Sequence, residues 1–186
     1  MKKIFLHFKT VSVHRYWAMR YCFRAGLIRQ GLTHDLSKFS PTEFFESARY
    51  YQGTSSPIDA CKKAKGYSMA WFHHRGRNRH HWEYWVDNFQ EGMKTVEMPF
   101  RYAVEMFCDF LAAGHTYMGG AFNIESEAAW WRSKRKKVVM HPTTKRFIDL
   151  CFLRAHEKGL AWVLNKSILA AIYRDAISET KENRPC

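Results

Sequence analysis

Apolar residues recur every three to four positions over most of the chain, and this spacing predicts helices nearly throughout. Residues 4–24 interleave basic and apolar positions at helical spacing, and Gly26 supplies a stop. A second helix is expected over 27–38. Ser40-Pro41-Thr42-Glu43 is a capping-box signal with proline at the first helical position, so a third helix starts there and runs to Gly53. Ser56-Pro57-Ile58-Asp59 repeats the signal. It predicts a fourth helix carried through Trp71 toward His74, with Gly76-Arg77-Asn78 breaking the chain. A short segment, His80 to Phe89, follows. Pro99 opens another helix that reaches about Tyr117 and ends at Gly119-Gly120. Two or three more fill 123–182. The last, over roughly 159–179, carries the core stripe Leu160, Val163, Leu164, Ile168, Ala171 and Ile172. No stretch shows strand alternation, an internal repeat or a low-complexity linker. The expected fold class is all-α, as a single domain over residues 1–180 with a flexible tail at 181–186.

Composition narrows the class. Of 186 residues, 46% are hydrophobic and 25% charged, which fits a globular chain and excludes a disordered one. No apolar run is long enough for a spanning helix, so a membrane is not an expected partner. Ile4-Phe5-Leu6 is cut by His7 and Lys9, too short for a signal-peptide core, and the expected location is cytoplasmic. Lys and Arg number 30 against 17 Asp and Glu, a formal charge of +13 that favours anionic partners: nucleotides, nucleic acid or an acidic membrane surface. The excess is local: residues 1–34 hold seven Lys and Arg and no acid, and Arg132 to Lys137 is a second basic run. The five cysteines show no CxxC spacing. Cys22, Cys108 and Cys151 sit in apolar helical patterns and are expected as buried reduced thiols, not as a zinc site.

The ten histidines carry the candidate chemistry. His34-Asp35 is one focus. Neighbours on a helix diverge by about 100°, yet imidazole and carboxylate reach differently and both can grip one ion. Lys38 follows His34 by one turn and is placed to hold an anionic oxygen beside a metal. His14 precedes His34 across the Gly26 break, which puts the two on adjacent antiparallel helices. His7 shares the stripe of His14 and is its substitute. Glu105 and Asp109 share one face of the helix opened by Pro99, amid Val104, Met106, Phe107, Cys108, Phe110 and Leu111. A carboxylate in such surroundings needs a metal or a cationic partner such as arginine. Between them, His73-His74 and His80-His81 flank Arg75-Gly76-Arg77-Asn78-Arg79. Arginine forks hold phosphate oxygens in pairs, so Arg75, Arg77 and Arg79 are candidates for binding a phosphorylated substrate. The histidine pairs are open to metal, to phosphate, or to stacking on Trp82 and Trp85.

A histidine on one helix, a His-Asp dipeptide on the next and an aspartate on a later helix resembles the HD superfamily of metal-dependent phosphohydrolases. The segment His34-Asp35-Leu36-Ser37-Lys38 is similar to its HDxGK form, with Ser37 where glycine is usual. The resemblance spans residues 14–109. It implies an HD-like helical bundle in which His14, His34, Asp35 and Asp109 hold one divalent transition metal (Mn, Fe, Co, Ni or Zn). It also implies a second ion held by His74 and His81, with Asp35 bridging. The activity implied is hydrolysis of a nucleotide or other phosphorylated anion by metal-activated water. Lys38 and the loop arginines would neutralise phosphoryl charge, and His73 or His80 would protonate the leaving oxygen. Some HD proteins are instead di-iron oxygenases acting on a small polyol or phosphonate. More broadly the sequence looks like a family of small uncharacterised bacterial and phage-borne proteins, marked by Gln30 to Glu43 and His73 to Trp85. A different class is a non-catalytic nucleic-acid-binding protein, for which Trp130-Trp131 beside Arg132 to Lys137 supplies stacking and charge. No HExxH, GxxxxGK[ST] or GxSxG motif is present.

Overall fold

The computed structural model describes residues 2–90 and 92–182. In chain order the helices are α1 (Lys2–Arg24), α2 (Ile28–Thr33), α3 (Pro41–Arg49), α4 (Pro57–Lys65), α5 (Met69–Arg77), α6 (Phe100–Met118), α7 (Ile124–Arg135), α8 (Pro142–Lys158), α9 (Leu160–Val163) and α10 (Lys166–Glu182). An antiparallel hairpin, β1 (Val86–Phe89) with β2 (Gly92–Thr95), precedes α6. The fold is all-α, as the periodicity predicts.

Helix α1 buries His7, Val11, His14, Ala18, Tyr21 and Cys22, a three-and-four spacing that turns one stripe inward. The stripe packs along α6, the most extensive helix pair in the molecule. Helix α6 is covered nearly all round: Ala103 to Cys108, Leu111, Ala112 and Gly114 are all buried. Below it, Phe107, Ile148, Phe152, Leu169 and Ile172 join α6, α8 and α10 in one hydrophobic cluster that supplies most of the folding free energy. Cys22, Cys108 and Cys151 are buried free thiols within it. Cys186 lies outside the described residues.

Several expected boundaries move, each for a local reason. The helix expected over 27–38 stops at Thr33. Asp35 takes a left-handed backbone (φ 53°), and a 3-10 turn, Leu36–Phe39, follows. The helix expected to reach Gly53 ends at Arg49. The one expected from Pro57 to His74 is two helices, because Gly66 adopts φ 80° and ends α4 while the Ser68 hydroxyl caps α5 at Trp71 N. Gly76 does not break α5, which runs to Arg77; one solvent-facing glycine costs a helix only about 1 kcal/mol. The chain also breaks at Leu164–Asn165, so the last helix starts at Lys166. It includes Lys181 and Glu182, and residues 183–186 lie outside the described residues. The hairpin escaped prediction because most of its residues are exposed and no alternation marks a buried face.

Helix α7 lies close against α6 at Gly114, where a Cβ would overlap Glu127 Oε2 and the Phe122 ring. Glu127 is buried, and burial, with a smaller push from the Asp109 charge, raises its carboxyl to about 7. A folded-state value above the unfolded one means the fold is penalised as the carboxyl ionises. The penalty is absent below about pH 4.5 and complete above pH 7. Glu127→Gln is therefore expected to stabilise the protein by about 1–2 kcal/mol at pH 8 and to leave it unchanged at pH 4, read from thermal melts.

Candidate metal centre

The kink at Asp35 organises the site. Aspartate tolerates the left-handed conformation because its short side chain bonds locally. Here the turn ends α2 and aims both His34 and Asp35 inward. Arg15 holds the turn from outside, its Nε donating to the His34 carbonyl at 2.8 Å and Nη2 to that of Leu32 at 3.0 Å. Side chains from α1, this turn, α5, the segment after α5 and α6 then meet around the Asp35 carboxylate, which is fully buried.

Each Asp35 oxygen faces its own set. Oδ2 lies 3.3 Å from His14 Nε2 and 3.5 Å from His34 Nε2. Asp109 Oδ1 closes that set at 3.0 Å from His14 Nε2 and 3.3 Å from His34 Nε2, and the two imidazole nitrogens are 3.4 Å apart. Donors about 2.1 Å from one ion sit about 3.4 Å apart in a tetrahedron and about 3.0 Å in an octahedron. Four of the edges among these donors fall in that range, and the His34–Asp35 edge at 3.5 Å lies just above it. On the other side, Oδ1 lies 3.3 Å from His74 Nε2 and 3.4 Å from His80 Nε2, and His81 completes a second group with ligand atoms within 4.8 Å of one another.

Outer carboxylates fix the rings. Glu105 Oε1 accepts from His34 Nδ1 at 3.1 Å and lies 3.2 Å from His80 Nδ1, so one carboxylate serves both groups. Glu43 accepts from His74 Nδ1 at 2.7 Å and from His73 Nδ1 at 2.6 Å. In His34, His74 and His80 this arrangement turns Nε2 toward Asp35, the orientation metal-ligating histidines need once that nitrogen is deprotonated. The Nε2 atoms of His74, His80 and His81 and Asp35 Oδ1 are buried without an aligned hydrogen-bond partner, while Asp35 Oδ2 has Lys38 Nζ at 2.6 Å. Buried polar atoms left open in this way call for a ligand. These residues fit a metal ion.

The charges agree. Burial alone would lower His34, but Asp35, Asp109 and Glu105 outweigh it and hold the imidazole protonated well above the usual histidine range. Burial alone would raise Asp35, but His34, Lys38 and His74 hold it well below the usual carboxylate range. Asp109 is likewise held low against its burial by His14 and His34. Burial, with His80 and His74 nearby, drives His81 well down, so it stands as a neutral imidazole. In that protonated form His34 supplies one positive charge to the acidic cluster, and release of its proton would free Nε2 for an ion. Lys38 adds a second positive charge, its Nζ 2.6 Å from Asp35 Oδ2.

All six expected ligands, His14, His34, Asp35, His74, His81 and Asp109, thus converge, and Lys38 stands beside them. Other expectations are corrected. His80 is no free proton donor: its nitrogens face Asp35 and Glu105, and it belongs to the second ligand group. His73 is tied to Glu43 and lies outside every ligand group. Glu105 pairs with histidines and not with an arginine. His7 is buried but joins no ligand group, so it does not substitute for His14. Ser37 accepts from Asn78 Nδ2 at 2.8 Å, tying the turn after Asp35 to the end of α5. Trp131 is a core residue whose Nε1 donates to Asp149, so only Trp130 of that pair is exposed. Glu43 was hidden behind its capping-box reading; its amide does meet the Ser40 hydroxyl, while its carboxylate turns to the histidines.

A cavity of about 180 Å³ opens onto this centre. It is lined by His14, His74, His81, Asp109 and Lys38 on one side, and by hydroxyl and apolar groups including Thr10, Ser47, Trp71 and Tyr117 on the other. Arg75, Arg77 and Arg79 do not line it. Arg75 instead lies over the Phe72 ring.

A sequence-family model described as a family of unknown function, DUF5662, matches residues 3–152. The chain belongs to the DUF5662 family. The matched segment of this DUF5662 protein contains the whole candidate centre, from His14 to Asp109, and most of the core beneath it. No curated protein and no solved structure matches the chain. Among the described residues no helix is long and apolar enough to cross a membrane.

Proposed function

We propose that this DUF5662 protein is a metal-dependent phosphohydrolase with an HD-like centre, acting on a small phosphorylated molecule. The observation that carries the reading is the shared Asp35: its two oxygens face two separate sets of inward nitrogen and oxygen donors at ion-ligand spacing. Bound divalent ions there would lower the pKa of water toward 7 and polarise a phosphoryl oxygen. His14, His34 and Asp109 would hold one ion, His74, His80 and His81 the other, and Asp35 both. Lys38 lines the cavity and would meet the phosphoryl oxygens as their charge grows. Trp71, Val11 and Ile58 offer an apolar wall to the organic part, and Thr10, Ser47 and Thr116 offer it hydroxyls. This lining suits a monoester with one phosphoryl group better than a polyanion. Neither His73 nor His80 lines the cavity, so leaving-group protonation falls to neither.

The test is metal analysis of purified protein followed by a phosphoester panel with Mn, Co, Ni, Zn and Fe. Phosphate release that needs added metal supports the reading. Absence of bound metal in protein reconstituted with each ion would overturn it. The same donors suit iron, so oxygen uptake with an iron-loaded sample and no ester turnover would instead favour a di-iron oxygenase. Lys38→Met is expected to lower kcat by about 10²–10³-fold with little loss of bound metal, measured by steady-state kinetics beside metal content.

A further inference from the structure

A second cavity, of about 510 Å³, shares no residue with the first. Its walls carry Arg29, Arg77, Arg79 and Arg101, and its floor His80 and Glu105. The four arginines come from α2, α5, the segment after α5, and α6, so the fold and not a basic run gathers them. Glu105 is the only carboxylate in the lining, and its Oε1 is already engaged by two imidazoles. Among the described residues the ion-paired arginines are Arg135, Arg146 and Arg154, and none of the four belongs to that set. Arg79 is pre-placed: its guanidinium sits 5.6 and 5.9 Å from the Tyr84 and Tyr102 rings, with Nη1 3.4 Å from the Tyr102 hydroxyl. Arg101 lies 4.8 Å over the same Tyr102 ring. Tyr102 therefore spaces two guanidiniums at the cavity wall. A concavity lined by one sign of charge focuses its field on an anion. Guanidinium forks match pairs of phosphate oxygens.

We propose that this arginine cavity binds the di- or triphosphate group of a small molecule, at a site separate from the cavity that Lys38 lines. Four cations facing one concavity match the charge of such a group, whereas a nucleic-acid backbone spreads one charge per phosphate along an open surface. The four arginines belong to neither ligand group, so the proposal holds whether or not the metal centre hydrolyses phosphate, although the floor residues His80 and Glu105 are shared with that centre.

The test is calorimetric titration of the full chain with methylenediphosphonate, a non-hydrolysable pyrophosphate analogue, before and after chelator treatment. One ion is expected to bind per chain in both forms, with affinity that falls as salt rises. Arg29→Ala with Arg77→Ala should weaken binding at least tenfold; both side chains are exposed and lack a carboxylate partner, so the fold is expected to survive, checked by circular dichroism. Lys38→Ala should leave the diphosphonate affinity unchanged. Three results would each overturn the proposal: no binding at millimolar concentration, equal affinity in the double arginine variant, or binding lost with Lys38→Ala. So would a single-stranded oligonucleotide that binds at these arginines and is not displaced by the diphosphonate.

Discussion

Asp35→Asn is expected to reduce metal content at least tenfold and turnover by at least about 10³-fold, a loss of about 4 kcal/mol in transition-state stabilisation. The effect is large because one residue serves both ligand sets. Oδ2 faces His14 and His34, and Oδ1 faces His74 and His80. The amide removes the charge and puts an N–H donor against one set, so at least one half loses its shared ligand. Asparagine is the informative replacement because it also tolerates φ near +53°, which keeps the kink that aims His34 inward. Metal per chain by elemental analysis, with far-ultraviolet circular dichroism as the check on folding, decides the matter. A variant that keeps its full metal complement would show that Asp35 does not bridge.

Glu105→Gln comes second in expected size. Glu105 touches no substrate cavity at the metal face, yet it orients His34 from one ligand group and His80 from the other. Burial alone would raise its carboxyl, but His34 and His80 hold it low, so it is an anion that stabilises both donor imidazoles. Loss of such an orienting carboxylate costs about 10–100-fold in metal affinity, and here both groups should weaken. Glu43→Gln gives the contrast, since Glu43 bonds His74 but neither His14 nor His34. It should weaken only the group around His74. Competition against a chelator of known affinity, followed ion by ion, separates the two variants. Equal affinities in wild type and Glu105→Gln would reduce Glu105 to a packing role.

Part of this centre was legible from residue types alone. His14 stands on a stripe with Val11, Ala18 and Cys22, and a histidine on a buried stripe must find a partner inside. Asp109 sits on a helix too apolar to leave a carboxylate unserved. His80 was harder to place, because nothing in His80-His81 says which ring turns inward; both do, since His80 packs 4.4 Å from the His34 ring and 4.3 Å from that of His81. Which cavity the loop arginines would face was not legible for a similar reason. Arg77 closes α5 and Arg79 follows it, and the rotation of that helix end carries both to the second cavity.

Periodicity by itself determined the helical class, the inward stripe of α1 and the central apolar helix α6. These follow from local propensity and the 3.6-residue repeat. Only the tertiary structure decided that Asp35 turns left-handed, that one carboxylate faces two donor sets, and that Glu43 and Glu105 hold the rings. Those are distances between groups far apart in the chain, set by how α1, α5 and α6 pack, and packing is not written in any local pattern.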